Sequence, residues 1–241
     1  MVMLPSTFTS TVKHRPLRPY VIGKLARVLA IFGVTHVFVY YDDDPYFDSH
    51  ALGRYIVKVL KYAVTPPWLK KKAFPKSTTD RWFGLIPPLQ IEAHEKESIG
   101  GWSWGVVGGR LYPLYKGRPV NPLRIKRDPY IGFWAEYIPE KLDRAIKQVK
   151  KRMGALHIIG TSKYGRSIWD AAVKEKIYDF SSQGVVVVFG GPHRGIFEMS
   201  GKPSDLFDLV VNVYPHQRTR TIRTEEAVAL TLEALSMVWQ V

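Results

Sequence analysis

The chain has 241 residues, 46% hydrophobic and 23% charged, a balance that suits one large folded domain or one domain carrying a smaller insert. It contains no cysteine, which excludes disulfides, thiolate nucleophiles and cysteine-based zinc sites. A formal net charge of +14 asks for a polyanionic partner, nucleic acid before membrane, unless the excess is a lysine-rich solvated surface.

Thr7 to Val12 suits a short strand. Leu17 to Phe32 then follows helical spacing, with Val21, Ile22, Leu25, Ala26, Leu29 and Phe32 on one broad apolar face, and Gly33 ends it. His36 to Tyr41 reads as a strand running into Asp42-Asp43-Asp44-Pro45. Ser49 to Ala63 reads as a helix with Leu52, Tyr55, Ile56, Val59 and Leu60 on one side. This alternation predicts an α/β fold whose parallel sheet is covered on both faces.

The alternation stops at Thr65. From there to Pro139 the chain is rich in Pro, Gly and aromatics, with Pro-Pro at 66–67 and 87–88 and Gly-Gly at 100–101 and 108–109. Ser103 to Val107 and Arg124 to Lys126 suit small strands between turns, and a small inserted β-barrel fits the shift in composition. The α/β domain is therefore expected in two pieces, 1–64 and 138–241, around an insert at 65–137. Order returns with a helix from Glu140 to Met153, a strand Leu156 to Gly160 and a helix Ser167 to Tyr178. A buried strand Gly184 to Phe189, a strand Leu206 to Val213 and a helix Glu225 to Trp239 with Thr224 as N-cap complete the chain. The N-terminal MVMLPSTFTSTVKHRP lacks a signal-peptide core and no apolar run is long enough to span a membrane, so a cytoplasmic protein is expected.

Ligands of parallel sheets sit beyond the carboxyl ends of the strands. Three such ends are rich in small and polar residues: Gly160 to Arg166, Gly190 to Gly195, and Asn212 to Thr221. Their glycines either admit a ligand to the backbone or simply end strands. No dinucleotide or Walker phosphate loop is present, so a ligand held by backbone contacts, such as an adenosine without phosphates, suits them better. The seven histidines are scattered, so no metal is expected; Asp42 to Asp44 suit magnesium less well than a solvated loop or helix start. Ser162 with His193 offers a hydrolase reading, against which GxSxG is absent. Lys70, Lys71 and Lys72 lie near Trp68, Phe74 and Trp82, and Lys116, Arg118, Arg124, Lys126 and Arg127 near Tyr112, Tyr115, Tyr130, Phe133 and Trp134. Such interleaving neutralises phosphates and stacks unpaired bases, or else it is a barrel core with a wet basic face.

IIGTS at 158–162, VVFGGP at 187–192 and FDLVVNVYPHQRTRTIRTEEAV at 207–228 resemble the cofactor-binding half of the SPOUT RNA methyltransferases. LARVLAIFGVTHVFVY at 25–40 and LKKKAFPKSTTDRWFGLIPPL at 69–89 are similar to their archaeal and eukaryotic uridine-N3 branch, in which an OB-like domain interrupts the N-terminal half. The resemblance implies a C-terminal trefoil knot, a homodimer, S-adenosyl-L-methionine as cofactor and a base in structured RNA, such as ribosomal RNA, as substrate. It places Gly160, Thr161, Gly165, Gly190, Gly191, Asn212, Val213, Tyr214 and Pro215 on the cofactor loops, and Thr219, Thr221 and Ile222 on the segment closing the knot. Arg27 falls where related enzymes carry an arginine near the target nucleotide, and Arg220 is the second candidate cation. Two departures stand out: PHQR at 215–218 where the family often has PGQG, and Lys163-Tyr164 in place of an acidic-basic pair. A protein that keeps the fold and binds or assembles RNA without turnover is the competing expectation.

Overall fold

The computed structural model describes residues 1–44, 48–200 and 203–240; Pro45, at the end of the aspartate run, lies outside them. In chain order the elements are β1 (Val2–Pro5), α1 (Leu17–Ile31), β2 (His36–Tyr40), α2 (Ser49–Val64), α3 (Lys70–Ala73), β3 (Trp102–Val107), β4 (Arg110–Tyr115) and β5 (Arg118–Pro119). They continue with β6 (Trp134–Ile138), α4 (Leu142–Met153), β7 (Leu156–Ser167), α5 (Ala171–Phe180), β8 (Gly184–Val188), α6 (Ile196–Met199), α7 (Pro203–Leu206), β9 (Leu209–Asn212) and α8 (Thr224–Trp239).

The chain forms two compact units. The first comprises 1–11, 38–54 and 137–241, and is built on a sheet of order β6-β2-β1-β8-β7-β9. β1 pairs parallel to β8, and β7 pairs parallel to β8 on one side and β9 on the other. The run Val185 to Val188 is β-branched throughout and nearly all buried, as expected of a strand covered on both faces.

Three expectations move. Thr7 to Thr11 form a turn, and the first strand lies earlier, at β1. The threonines find turn and side-chain partners instead of a ladder: the Ser10 amide donates to the Thr7 carbonyl at 2.7 Å, and the Thr7 hydroxyl to Asp42. α5 starts at Ala171 because β7 does not stop at Gly160. The chain leaves the ladder after Thr161 and rejoins it at Arg166, both opposite Val211, a bulge that carries the strand on to Ser167. Asp170 then caps α5, accepting from the Ala172 amide at 3.0 Å. α8 is capped one residue early, at Arg223, whose amide donates to Glu226 Oε2 at 2.9 Å, while Thr224 is already helical and buried. Within this unit Val228, Leu232 and Leu235 are buried, and the Trp239 indole donates to the Ile177 carbonyl.

The second unit comprises 12–37 and 55–136 and includes α1 and most of α2. α1 ends as its sequence suggests: Gly33 takes a left-handed φ of +63°, and the Val34 amide returns to the Leu29 carbonyl. The helix lies so close to Ile86 and Pro87 that a Cβ on Gly23 would sit 2.7 Å from Pro87 Cδ. The aromatic-rich stretch holds a three-stranded antiparallel sheet, β3-β4-β5, and several 3-10 turns. Arg124 to Lys126 is not a strand: Pro122–Arg124 is a 3-10 turn opened by Pro and by the Asn121 side chain, which accepts from the Leu123 amide.

The bulge yields a stability test. A Cβ on Gly165 would meet the Val211 carbonyl carbon at 2.6 Å and the Val210 oxygen at 2.8 Å, backbone atoms of the neighbouring strand that cannot step aside. Gly165→Ala is expected to cost about 1–3 kcal/mol, read as a lowered midpoint in urea denaturation. An unchanged midpoint would mean that β7 and β9 are not paired this closely.

Candidate functional site

The carboxyl ends of β7, β8 and β9 open into a cleft of about 470 Å³ within the first unit, a size in the range of about 300–1,000 Å³ usual for small-molecule sites. One wall is the β7 bulge, Thr161 to Tyr164. A second is Phe189 to Gly195, leaving β8. A third runs from Val211 to Tyr214 and from Arg220 to Arg223, and the first turns of α8, with Thr224, Ala227 and Thr231, close the floor.

Short polar ties hold these walls. The Thr161 hydroxyl donates to the Val188 carbonyl at 3.0 Å, joining the ends of β7 and β8. Asn212 joins β7 to β9: its amide nitrogen donates to the Lys163 carbonyl at 2.8 Å, and its side-chain oxygen accepts from the Tyr214 amide at 3.1 Å. Gln217 Nε2 folds the following loop by donating to the Thr219 carbonyl at 2.9 Å. Tyr40, fully buried, donates to the Phe189 carbonyl at 2.7 Å; burial pushes its phenol well above the usual range, so it remains a donor. Arg194 donates to Asp42 Oδ1 at 2.6 Å and to the Asp43 carbonyl, fastening the second wall to the end of β2. Asp42 is therefore a buried, ion-paired anchor, also bonded by Thr7, rather than a solvated loop residue.

Of the residues singled out as cofactor-binding, Thr161, Gly190, Gly191, Asn212, Val213, Tyr214, Thr221 and Ile222 line this cleft, as does Arg220. Gly160, Gly165, Pro215 and Thr219 do not. Gly160 and Gly165 face protein: a Cβ on Gly160 would lie 2.6 Å from Ile196 Cδ1, and Gly165 is pressed on β9. Gly191 likewise abuts Asp42 and Thr7, so these glycines let the walls approach one another. His216 and Arg218 are not among the described non-glycine residues with left-handed backbone, Gln90 and Lys116, so the PHQR turn does not need glycine at those positions. Ser162 and His193 both line the cleft, but Ser162 Oγ accepts from the Tyr164 amide and His193 Nε2 lies 3.5 Å from Ser10 Oγ. No group of side chains among the described residues is placed to hold a metal ion, and no described helix is long and apolar enough to cross a membrane.

The second unit holds Arg27 and the other basic candidates. The Arg27 guanidinium donates to the carbonyls of Pro88 and Leu89 and to Gln90 Oε1, tying α1 to the segment it packs against. Lys71 and Lys72 are exposed on α3, while Lys70 lies 4.4 Å from the Tyr62 ring centre and is lowered from the ordinary lysine range by burial. Lys116, Arg118, Arg124, Lys126 and Arg127 are exposed. The aromatics among them divide: Phe133 is fully buried and Tyr130 donates from the interior to the Val34 carbonyl, whereas Tyr115 is open to solvent.

Sequence reasoning missed Thr231. It is fully buried, it lines the cleft, and its hydroxyl has no hydrogen-bond partner. A helical threonine ordinarily returns its hydroxyl to the carbonyl four residues back, and an unpaired buried hydroxyl costs about 1–3 kcal/mol. A ligand seated against this floor would be the partner the hydroxyl lacks. Phe189, Val211, Val213, Ile222 and Ala227 offer apolar walls, and Glu198 a carboxylate. This donor set fits an adenosyl sulfonium compound: apolar surface for the base, a hydroxyl for a polar edge, an anion for positive charge.

The Arg194–Asp42 pair can be tested by double-mutant cycle. Arg194 keeps 38% of its side chain exposed, so the coupling falls below that of a fully buried pair. Asp42→Asn and Arg194→Ala are each expected to destabilise, with a coupling of about 1–2 kcal/mol in urea denaturation. Strict additivity would refute the anchor.

The profile of a family described as "Putative RNA methyltransferase" matches residues 1–109 and 111–235. An uncharacterised protein of Halobacterium salinarum is 26% identical, over 98% of both chains. The 28S rRNA (uridine-N(3))-methyltransferase of Homo sapiens is also 26% identical, over 97% of this chain and 77% of its own. Among solved structures, the A. aeolicus TrmH/SpoU tRNA modifying enzyme is 11% identical with a TM-score of 0.46, covering 100% of this chain and 75% of the other. The SpoU methyltransferase AviRb of Streptomyces viridochromogenes in complex with AdoMet is 15% identical with a TM-score of 0.42, and this chain spans 56% of its length. With nearly its whole length matched by the profile, the chain belongs to that family of RNA methyltransferases.

Proposed function

We propose that this protein transfers the methyl group of S-adenosyl-L-methionine to N3 of a uridine in ribosomal RNA. The observation that carries the reading is the cleft at the ends of β7, β8 and β9, with the unpartnered Thr231 hydroxyl on its floor and the exposed Arg220 at its edge. The uridine and its atom follow the human relative, a 28S rRNA (uridine-N(3))-methyltransferase.

Bound in the cleft, the cofactor supplies an activated methyl group on a sulfonium. The protein's work is then largely positioning. Phe189, Val211, Val213 and Ile222 bury the base, Thr231 reads a polar edge of it, and Glu198 answers the positive charge. N3 of uridine gives up its proton to water as the N–C bond forms and the methyl's bond to sulfur breaks, and negative charge develops on the flanking ring oxygens. Arg220 stabilises that charge. For Arg27 a role beside the target nucleotide rests on the resemblance alone. A target nucleotide in a helix must leave the stack to be reached.

The OB-like character of the insert, the knotted path and the homodimer belong to the same proposal. β3-β4-β5 is the antiparallel sheet that supports the first. The bond from the Thr224 hydroxyl to the Gly190 carbonyl, which brings α8 back to the second cleft wall, supports the second. Leu230 and Met237, turned outward on α8, support the third.

Mass spectrometry of ribosomal RNA incubated with the protein and labelled cofactor is expected to find 3-methyluridine at one position. Label on another nucleoside, or none, overturns the uridine assignment. Thr231→Val keeps shape and removes the hydroxyl. It is expected to weaken S-adenosyl-L-homocysteine binding by about tenfold, the value of one hydrogen bond. Calorimetric affinity unaltered by this change removes Thr231 from the site.

A further inference from the structure

Around the cleft three large rings stand open to solvent, Tyr164 and Tyr214 on its walls and Trp169 beyond them. Tyr164 is 76% exposed, Trp169 48% and Tyr214 50%. All three leave the backbone next to one residue. Asn212 binds the Lys163 carbonyl and the Tyr214 amide through its side chain, and its own carbonyl accepts from the Ile168 amide at 3.0 Å. Tyr164, Trp169 and Tyr214 are the residues at, or one step beyond, those three contacts, so their backbones lie along a single rim of the sheet.

Rings of this size bury about 150–250 Å² each when covered, and a cluster left in water marks a partner surface. The charge around them says which partner. Lys163 lies 5.0 Å from the Tyr164 ring centre and Lys174 5.2 Å from that of Trp169. Arg218 and Arg220 are exposed on the loop that continues from Tyr214. The nearby Asp170 is already paired with Arg166 at 3.0 Å. A second copy of a chain carrying +14 brings more positive charge to this rim, whereas a polyanion relieves it. Exposed rings with cations beside them stack unpaired bases and neutralise the phosphates between them.

We propose that Tyr164, Trp169 and Tyr214 form a stacking platform for unpaired RNA nucleotides flanking the one that enters the cleft. The platform's role at the reaction rests on the methyltransferase reading; its affinity for single strands does not. It is separate from the basic candidates of the 65–137 segment. It explains why Lys163-Tyr164 stands where an acidic-basic pair is usual: the first loop turns a cation and a ring outward.

The test is fluorescence anisotropy of a labelled oligouridylate with the full-length protein, comparing wild type, Trp169→Ala, the pair Tyr164→Ala with Trp169→Ala, and Trp169→Phe. Each ring removed is expected to weaken single-strand binding by about tenfold, and Trp169→Phe to restore most of it. A duplex of equal charge should bind all variants alike, which separates stacking from charge. Oligouridylate affinity within twofold of wild type in the double variant overturns the proposal. So does a fall in affinity accompanied by a dimer-to-monomer shift in sedimentation, which would make the rim a contact between copies. If Trp169→Ala prevents folding, Tyr164→Ala alone decides: an about tenfold loss of oligouridylate affinity supports the platform, and affinity within about twofold of wild type overturns it. Calorimetry with S-adenosyl-L-homocysteine on wild-type protein keeps the two ideas apart: failure to bind it sinks the methyltransferase reading, while the oligouridylate series still judges the platform.

Discussion

β7 has to keep two parallel neighbours and still step out of register once. Against β8 it runs unbroken from Leu156 to Gly160. Against β9 it is interrupted, with Thr161 and Arg166 both opposite Val211. The residues between them leave the ladder with β9, and Thr161 to Tyr164 form the first wall of the cleft. Gly165 makes the return possible, because any side chain there would strike the backbone of β9. Once that step is taken, Asn212 lies opposite Ser167 with its side chain free to reach Lys163 and Tyr214. The cleft and its aromatic rim both follow from the same interruption.

The polar ties beneath the cleft are local and mostly single hydrogen bonds, each contributing about 0.5–1.5 kcal/mol. What makes them effective is that they join loops already brought together by parallel pairing. Arg194 and Asp42 are the exception, a charged contact that links the wall after β8 to the end of β2 across 152 positions of sequence. Thr231 is the opposite case, a polar group left without a partner in an otherwise satisfied floor. Strongly tied walls around one unsatisfied group are what a preorganised binding site requires.

Much of the fold could be read from the chain, and the failures share a cause. Helices with clear 3.6-residue spacing, such as α1 and α4, and the valine run of β8 declare themselves locally. β1 does not: four residues ending in proline show no alternation, and their strand character comes from their place between β2 and β8. Thr7 to Val12 has strand propensity but no neighbour to pair with. The late start of α5 could not be foreseen, since a bulge is defined by the register of two strands. In the site, glycine-rich strand ends located the cleft. A Cβ on Gly160, Gly165 or Gly191 would meet protein atoms, a closeness between chain segments that composition does not show. Thr231 looked like one more residue in an apolar helix; a missing hydrogen bond has no sequence signature. In the aromatic-rich segment the two readings divided residue by residue, with Phe133 taken into the core, Tyr130 half-buried and Tyr115 left outside.

The central claim is that three strand ends form one site for the methyl donor. Hydrogen–deuterium exchange with and without S-adenosyl-L-homocysteine addresses it most directly, since amides in loops of low local stability gain protection when a ligand holds them. The account predicts protection gathered at 161–164, 189–198 and 211–224, with the β3-β4-β5 sheet unchanged. Protection absent from one of those three segments, or centred on the 65–137 stretch, would contradict it.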